Sequence, residues 1–260
     1  MKKLSILLIV LMALGLLIGI TGCGGGEAEE NGDEEALVID AAADAVFAPF
    51  EFKGESGEVE GFDADLIRAI GEAEGIETTI KHIDWDGLFP ALESGDINVI
   101  ISGMTITEER KAEYDFSDPY FEATQIICVR EDSDIDSLDD LVGKSVGVQQ
   151  NTTGHFAVQK IEGMKDEDIK KFPYTPDALM NLSNGLVEAV VGDAPVVLNY
   201  ITTNPDCGFK TIESDEFEKE YYGICVKKGN TELLERINSG LKKIQEDGTY
   251  DEIYKKYFGE

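Results

Sequence analysis

Apolar and polar positions fall into blocks along this chain, and the period changes from block to block. Lys2 and Lys3 precede an apolar run over 4–20, whose one polar side chain is Ser5 and which ends at Ile20, Thr21, Gly22 and Cys23. A positive start, an apolar middle and small residues before a cysteine read as a signal peptide over 1–22, with Cys23 as the acylated first residue of the processed chain. The alternative is an uncleaved anchor, because the run approaches the roughly 17 residues that can span a bilayer. Residues 23–35 hold Gly24 to Gly26 and an acidic stretch with almost no apolar side chains, so they read as a lipidated flexible linker. The folded part is expected from residue 36.

From there the pattern alternates between helical and strand periods, which predicts an α/β fold. Residues 63–75 place Leu66, Ile67, Ile70 and Ala73 on one helical face, and 77–83 read as a strand. A short helix is predicted over 87–95, with Gly95 as its stop. A weak repeat follows: 95–103 (GDINVIISG) resembles 185–193 (GLVEAVVGD), each a helix stop, a polar break, a buried strand and then small or polar residues. Ligands of open α/β sheets sit beyond the carboxyl ends of the strands, so the residues after Ile101 and Val191 are expected to face a cleft between two such units. Strand-like stretches at 120–128 and 218–226 offer two crossings between the units. The expected layout is one lobe from 36–119 plus 223–260, a second lobe from 125–217, and hinge segments at 120–124 and 218–222. Helices over 232–246 and 250–257 complete the first lobe, and Leu233, Leu234, Ile237, Leu241 and Ile244 have the spacing of a helix packed on a sheet.

Composition narrows the partners. About 225 residues remain after the leader, enough for one large domain or two modest ones. The formal charge is −31, and no basic stripe remains to follow a phosphate backbone, which excludes nucleic acid. Besides Cys23 there are Cys128, Cys207 and Cys225, an odd number without paired spacing or a histidine cluster. They read as buried thiols, ahead of a disulfide or a metal site. No cofactor is expected, and the chain is expected to be a monomer.

Several motifs in order carry a likeness: 44–52 (DAVFAPFEF), 61–66 (GFDADL), 103–111 (GMTITEERK), 115–120 (DFSDPY) and 248–250 (GTY). They resemble the polar amino acid binding proteins of ABC importers, in particular the arginine/lysine/histidine-binding and glutamine-binding members. The resemblance covers essentially the whole chain from about Val38. It implies a type II periplasmic-binding-protein fold, with two α/β lobes joined by two hinge strands and closing on a ligand. It also implies a free L-amino acid as ligand, an ABC importer permease as partner, and an extracytoplasmic body held at the membrane through Cys23.

A buried amino acid site needs a cation, an anion and something selective. Arg110 offers a fork for the ligand carboxylate; read without the resemblance, it would pair with Glu108 or Glu109 on the surface. Gly103 and Thr105 follow the buried strand and offer a carbonyl and a hydroxyl, while the amides of Thr153 and Gly154 sit where a turn feeds a helix. Asp193 takes the ammonium by resemblance; alone, it would cap the helix near Pro195. Phe47 and Trp85 are aromatic walls by resemblance, or core packing otherwise.

Asp44 lies near the side-chain end by resemblance. In glutamine-binding relatives a lysine faces that pocket, whereas alignment places neutral Gln149 there in this chain. A buried carboxylate without an internal cation should prefer a ligand that brings the charge, so the expected order is arginine, then lysine or histidine, over glutamine. The competing readings are an enzyme of the same fold, such as a dehydratase or peptidoglycan lyase, and a receptor sensor domain. No nucleophile stands beside a base in the sequence pattern. Only His82 and His155 are present, and His155 is expected at the surface.

Overall fold

The computed structural model describes residues 37–259; the signal segment 1–22, the linker 23–35 and the proposed lipidation site Cys23 lie outside the described residues. The first part of the chain holds β1 (Val38–Ala43), a flap of β2 (Val46–Phe47), β3 (Glu51–Lys53) and β4 (Val59–Glu60), and helix α1 (Phe62–Glu74). It continues with β5 (Glu77–His82), α2 (Trp85–Ser94), β6 (Val99–Ile100), α3 (Glu108–Glu113) and β7 (Tyr114–Phe116). After β8 (Phe121–Ala123) come β9 (Gln125–Arg130), β10 (Val146–Gln149), α4 (Thr153–Gln159) and β11 (Ile169–Phe172). Then follow α5 (Thr175–Ser183), β12 (Ala189–Asp193), α6 (Ala194–Thr203) and β13 (Phe209–Ile212). The chain returns through β14 (Glu220–Tyr222) to β15 (Cys225–Lys227), α7 (Thr231–Glu246) and α8 (Thr249–Phe258).

Two five-stranded sheets share one pattern, β5-β1-β6-β15-β7 and β11-β10-β12-β9-β13. In each, the fourth strand, β15 or β9, runs antiparallel to both of its neighbours, and the other four strands run in one direction. This makes the molecule a two-lobed α/β protein. The shared pattern gives the sequence repeat its structural meaning. Gly95 and Gly185 both adopt positive φ (83° and 70°), which glycine takes without strain, and β6 and β12 are the middle strands of the two sheets. Between the sheets, β8 and β14 pair antiparallel, with Glu220 opposite Ala123.

Three expected elements differ in extent. The helix predicted over 87–95 begins at Trp85. The 120–128 stretch is two strands: β8 joins the crossing pair, whereas β9 belongs to the second sheet. The 218–226 stretch divides in the same way into β14 and β15. A run of β-branched and aromatic residues specifies extended chain, but which sheet captures each part is decided by tertiary pairing.

Alternate side chains on the central strands feed two different cores. On β1, Ile39 and Ala41 face a cluster with α1 and α7, while Ala42 faces one with α2. On β9, Ile127 and Val129 point to one side and Ile126 and Cys128 to the other. A sheet buried on both faces needs such apolar runs. Helix α7 lays the fully or nearly fully buried Leu233, Ile237, Leu241 and Ile244 against Leu66, Ile67 and Ile70 of α1. Each such side chain contributes about 1.5–3 kcal/mol by leaving water. The helices approach closely at Gly240, where a Cβ would lie 2.8 Å from the Ile70 carbonyl oxygen.

Candidate functional site

The strands of both sheets deliver polar residues at their carboxyl ends: Asp44 after β1, Ser102 and Gly103 beyond β6, Gln149 at the end of β10 and Asp193 at the end of β12. Together they line one cavity. Of the ten ligand-binding candidates, the cavity brings together Asp44, Phe47, Trp85, Gly103, Thr105, Arg110, Gln149, Thr153 and Asp193. Gly154 does not line it. It is a buried α4 residue where a Cβ would lie 2.6 Å from Gln125 Oε1, so its missing side chain makes room for Gln125. Ser102 and Thr152 also line the cavity; the repeat points to the position after Ile101, but no motif in the sequence marks either residue individually.

One end is cationic. Thr107 caps α3 by accepting from the Arg110 amide at 3.2 Å, which fixes the helix turn that carries Arg110. The Arg110 guanidinium donates to the Thr105 carbonyl at 2.7 Å and lies 5.4 Å from the Trp85 ring and 5.9 Å from the Phe89 ring. Among the described residues it forms no ion pair with Glu108 or Glu109; Lys111 takes Glu108 instead, at 2.9 Å. Burial draws the Arg110 pKa below its ordinary value, opposed by the carboxylates of Glu220 and Asp193. An arginine still keeps its charge there.

Asp193 occupies the N-cap position of α6, yet its side chain makes no capping bond. It accepts instead from the Tyr222 hydroxyl and from Gln125 Nε2, the latter at 2.9 Å. Burial, then the neighbouring Glu220, pushes its pKa up to about 7, against bonds from Tyr222 and Gln125 and the charge of Arg110. Glu220, on the crossing strand β14, escaped sequence reasoning. Its Oε2 accepts from the Thr105 and Thr153 hydroxyls at 2.7 and 2.8 Å, and its Oε1 accepts from Gln125 at 3.0 Å. One hinge carboxylate thus joins a hydroxyl from each lobe.

The opposite end is acidic. Asp44 is 2% exposed, and its Oδ2 accepts from Gln149 Nε2 at 3.2 Å. Its Oδ1 is buried without a hydrogen-bond partner among the described residues. Burial, then the carboxylate of Asp84, raises the Asp44 pKa to about 7. Phe47 stands over Gly103, whose φ of 50° and lack of a Cβ let the ring approach; a Cβ there would lie 2.7 Å from it.

Asp44, His82 and Asp84 each offer an atom within 4.8 Å of the others. However, His82 Nδ1 accepts from the Ala45 amide at 3.0 Å, which leaves the proton on Nε2, 3.1 Å from Asp84. That ring has no lone pair to offer a metal. His155 is buried rather than at the surface, because it sits on the inner side of α4 with Nδ1 accepting from the Asn151 amide at 3.2 Å.

The lobes meet over the cavity. Trp85 Nε1 donates to the Asn151 carbonyl at 3.2 Å. Asp86 accepts from Gln150 and Asn151 at 2.5 and 2.9 Å, and the Tyr174 hydroxyl donates to Asp84 at 2.7 Å. Cys128 and Cys225 are buried thiols and Cys207 is half-buried, with no disulfide among the described residues. Burial pushes the Cys128 and Cys225 pKa values up to about 12, so both are protonated and inert.

Two lobes of one topology, closing on a cavity lined by a buried cation, Arg110, and by the carboxyl groups of Asp44 and Asp193, define a hinged ligand-binding protein. The chain belongs to the bacterial extracellular solute-binding proteins, family 3, whose model matches residues 39–260. It is 41% identical over 244 residues to a probable histidine-binding protein of Neisseria gonorrhoeae, covering 93% of this chain and 91% of that one. The arginine-, lysine-, histidine-binding protein ArtJ of Geobacillus stearothermophilus superposes with a TM-score of 0.82 at 45% identity, covering 86% and 96% of the two chains. An ancestral arginine-binding protein, solved with glutamine, gives a TM-score of 0.80 at 49% identity over 86% of this chain and 98% of that one. An ancestral arginine-binding protein bound to arginine likewise gives a TM-score of 0.80 at 49% identity, over 85% of this chain and 98% of that one.

Proposed function

We propose that this protein captures a free basic amino acid, arginine first and lysine or histidine more weakly, and delivers it to the permease of an ABC importer. Arg110 grips the ligand carboxylate, assisted by Thr105 and Thr153. Asp193 and the Gly103 carbonyl take the ammonium, and Asp44 with Gln149 takes the side-chain head between the walls of Phe47 and Trp85. The chain is a transport binding protein rather than an enzyme, as its relatives are. It works outside the cytoplasm, held at the membrane by acylated Cys23, with lobes at 36–119 plus 223–260 and at 125–217.

One observation carries the ligand reading. Asp44 is a buried carboxylate with another carboxylate as its neighbour, and among the described residues its hydrogen-bond donors are neutral amides, the Gln149 side chain and the Trp85 backbone, with no ion pair to a Lys or Arg. A ligand that supplies a cation removes that electrostatic cost, and one that supplies an amide does not. Glutamine is the second reading, favoured by the Gln149 amide, which offers both a donor and an acceptor, and by the ancestral relative solved with glutamine. Thermal shift of the purified chain with each natural amino acid tests the proposal, because a ligand that binds only the folded state raises its melting temperature by mass action. Arginine should give the largest shift. Silence with every basic amino acid would refute the reading.

A further inference from the structure

Behind the cavity floor lies a second pair of acids that ligand capture does not touch. Glu51 on β3 and Asp63 on α1 are both 0% exposed. The groups facing Glu51 are Asp63, Ser102 and Asp44; those facing Asp63 are the Gly103 amide, Tyr120 and Glu51. None of them is a cation, and two ionised carboxylates cannot lie side by side in such surroundings.

The hydrogen bonds fix where each proton sits. The Asp44 amide donates to Ser102 Oγ at 3.0 Å, so the Ser102 hydroxyl is free to donate onward, and it does so to Glu51 Oε1 at 2.7 Å. On the other side, the Gly103 amide and the Tyr120 hydroxyl both donate to Asp63 Oδ2 at 2.8 Å. Two buried oxygens are left without partners among these bonds, Glu51 Oε2 and Asp63 Oδ1, and the two carboxyl groups lie within hydrogen-bond reach of each other. A single proton between those oxygens completes the network.

We propose that Glu51 is a neutral acid donating to an ionised Asp63, and that this proton-sharing pair positions Ser102 and Gly103 in the binding site. The assignment of roles follows from the donors: Asp63 already accepts from two groups and is the better place for the negative charge, while Glu51 accepts from only one. Burial, then the charge of Asp63, raises the Glu51 pKa well above its ordinary value, in keeping with this direction. Both residues are positioning residues. Through them, capture depends on a proton that the ligand never meets.

Infrared spectroscopy of the full chain at about pH 8, where acids with a pKa near 7 are mostly ionised, reads the pair directly. The spectrum should show a protonated-carboxyl band that is absent from Glu51→Gln, an isostere whose amide keeps both the donor and the acceptor. Absence of the band, or its persistence in the variant, overturns the proposal. The second arm rests on the amino acid reading above. Arginine affinity of Glu51→Gln should stay within about threefold of the original near neutral pH, and the original should weaken about tenfold relative to the variant as rising pH bleaches the band. A constant ratio through that bleaching overturns the positioning role. Failure of arginine to bind either protein would count against the ligand and leave the infrared result standing. If Glu51→Gln does not fold, carboxyl carbon shifts of the isotopically labelled original chain decide the matter without a variant: a Glu51 carboxyl that titrates in the ordinary acid range refutes the shared proton.

Discussion

At the scale of single residues, Arg110 and Asp44 face opposite ends of the cavity, and their removal has different consequences. Arg110→Ala leaves a ligand carboxylate buried without its partner, which costs about 3–5 kcal/mol of binding for any amino acid. Isothermal titration checks this, and near-normal affinity would place the arginine outside the site. Asp44→Asn removes the demand for a cationic head but keeps the shape, so arginine should weaken by at least about tenfold while glutamine changes little. Both residues were legible in the sequence because each sits inside a motif with its neighbours in order. Glu220 was not: nothing in a short strand of one acid and two tyrosines says that its carboxylate joins hydroxyls from both lobes. His155 misled for the opposite reason, since a histidine beside a turn resembles a surface residue until α4 packs over it.

At the scale of elements, two contacts invite tests. The tip of α2 reaches the other lobe through Asp86, which accepts from Gln150 and Asn151. These bonds join the two lobes, and each is worth about 0.5–1.5 kcal/mol. Asp86→Ala should therefore weaken arginine binding several-fold, chiefly by faster dissociation, which stopped-flow fluorescence of Trp85 would follow. Unchanged dissociation would show that closure does not rely on this latch.

The α1–α7 contact serves stability instead. Ile237→Ala should cost about 2–5 kcal/mol in urea unfolding, because Ile237 is fully buried. On the same contact, burial pushes the Glu74 pKa up but is outweighed by bonds from Lys243, Ser239 and Arg236, leaving it at about 2. A depressed acid stabilises above its unfolded value and loses that contribution as pH falls toward the folded one. Acid titration of unfolding should thus show a loss between about pH 4 and pH 2 that Glu74→Gln lacks. Helix α7 was readable almost to the residue from its apolar spacing. The crossings were readable only as extended chain, since the partition of 120–128 and 218–226 between sheets depends on partners far away in sequence.

At the scale of the whole molecule, the site sits in a chain of formal charge −31, yet its own carboxyl groups, Asp44 and Asp193, are held near pKa 7 by burial. A raised acid favours the folded state in its neutral form. That contribution is full below the unfolded value near 4 and is lost as pH rises through about 7. A ligand bringing a guanidinium and an ammonium favours the ionised forms instead. Arginine should therefore release protons on binding near pH 6.5, measurable by calorimetry in buffers of different ionisation enthalpy, and almost none above about pH 9. The two-lobed plan was legible from one repeat and a set of ordered motifs; the charge state of its site was not, because burial is a property of the folded molecule.

The central claim is that the cavity selects a cation for Asp44. Competition titration of the purified chain with arginine and glutamine at about pH 8, where Asp44 is mostly ionised, tests it most directly. Arginine should bind at least about tenfold more tightly, a difference of about 1.4 kcal/mol. Tighter binding of glutamine than of arginine would contradict it.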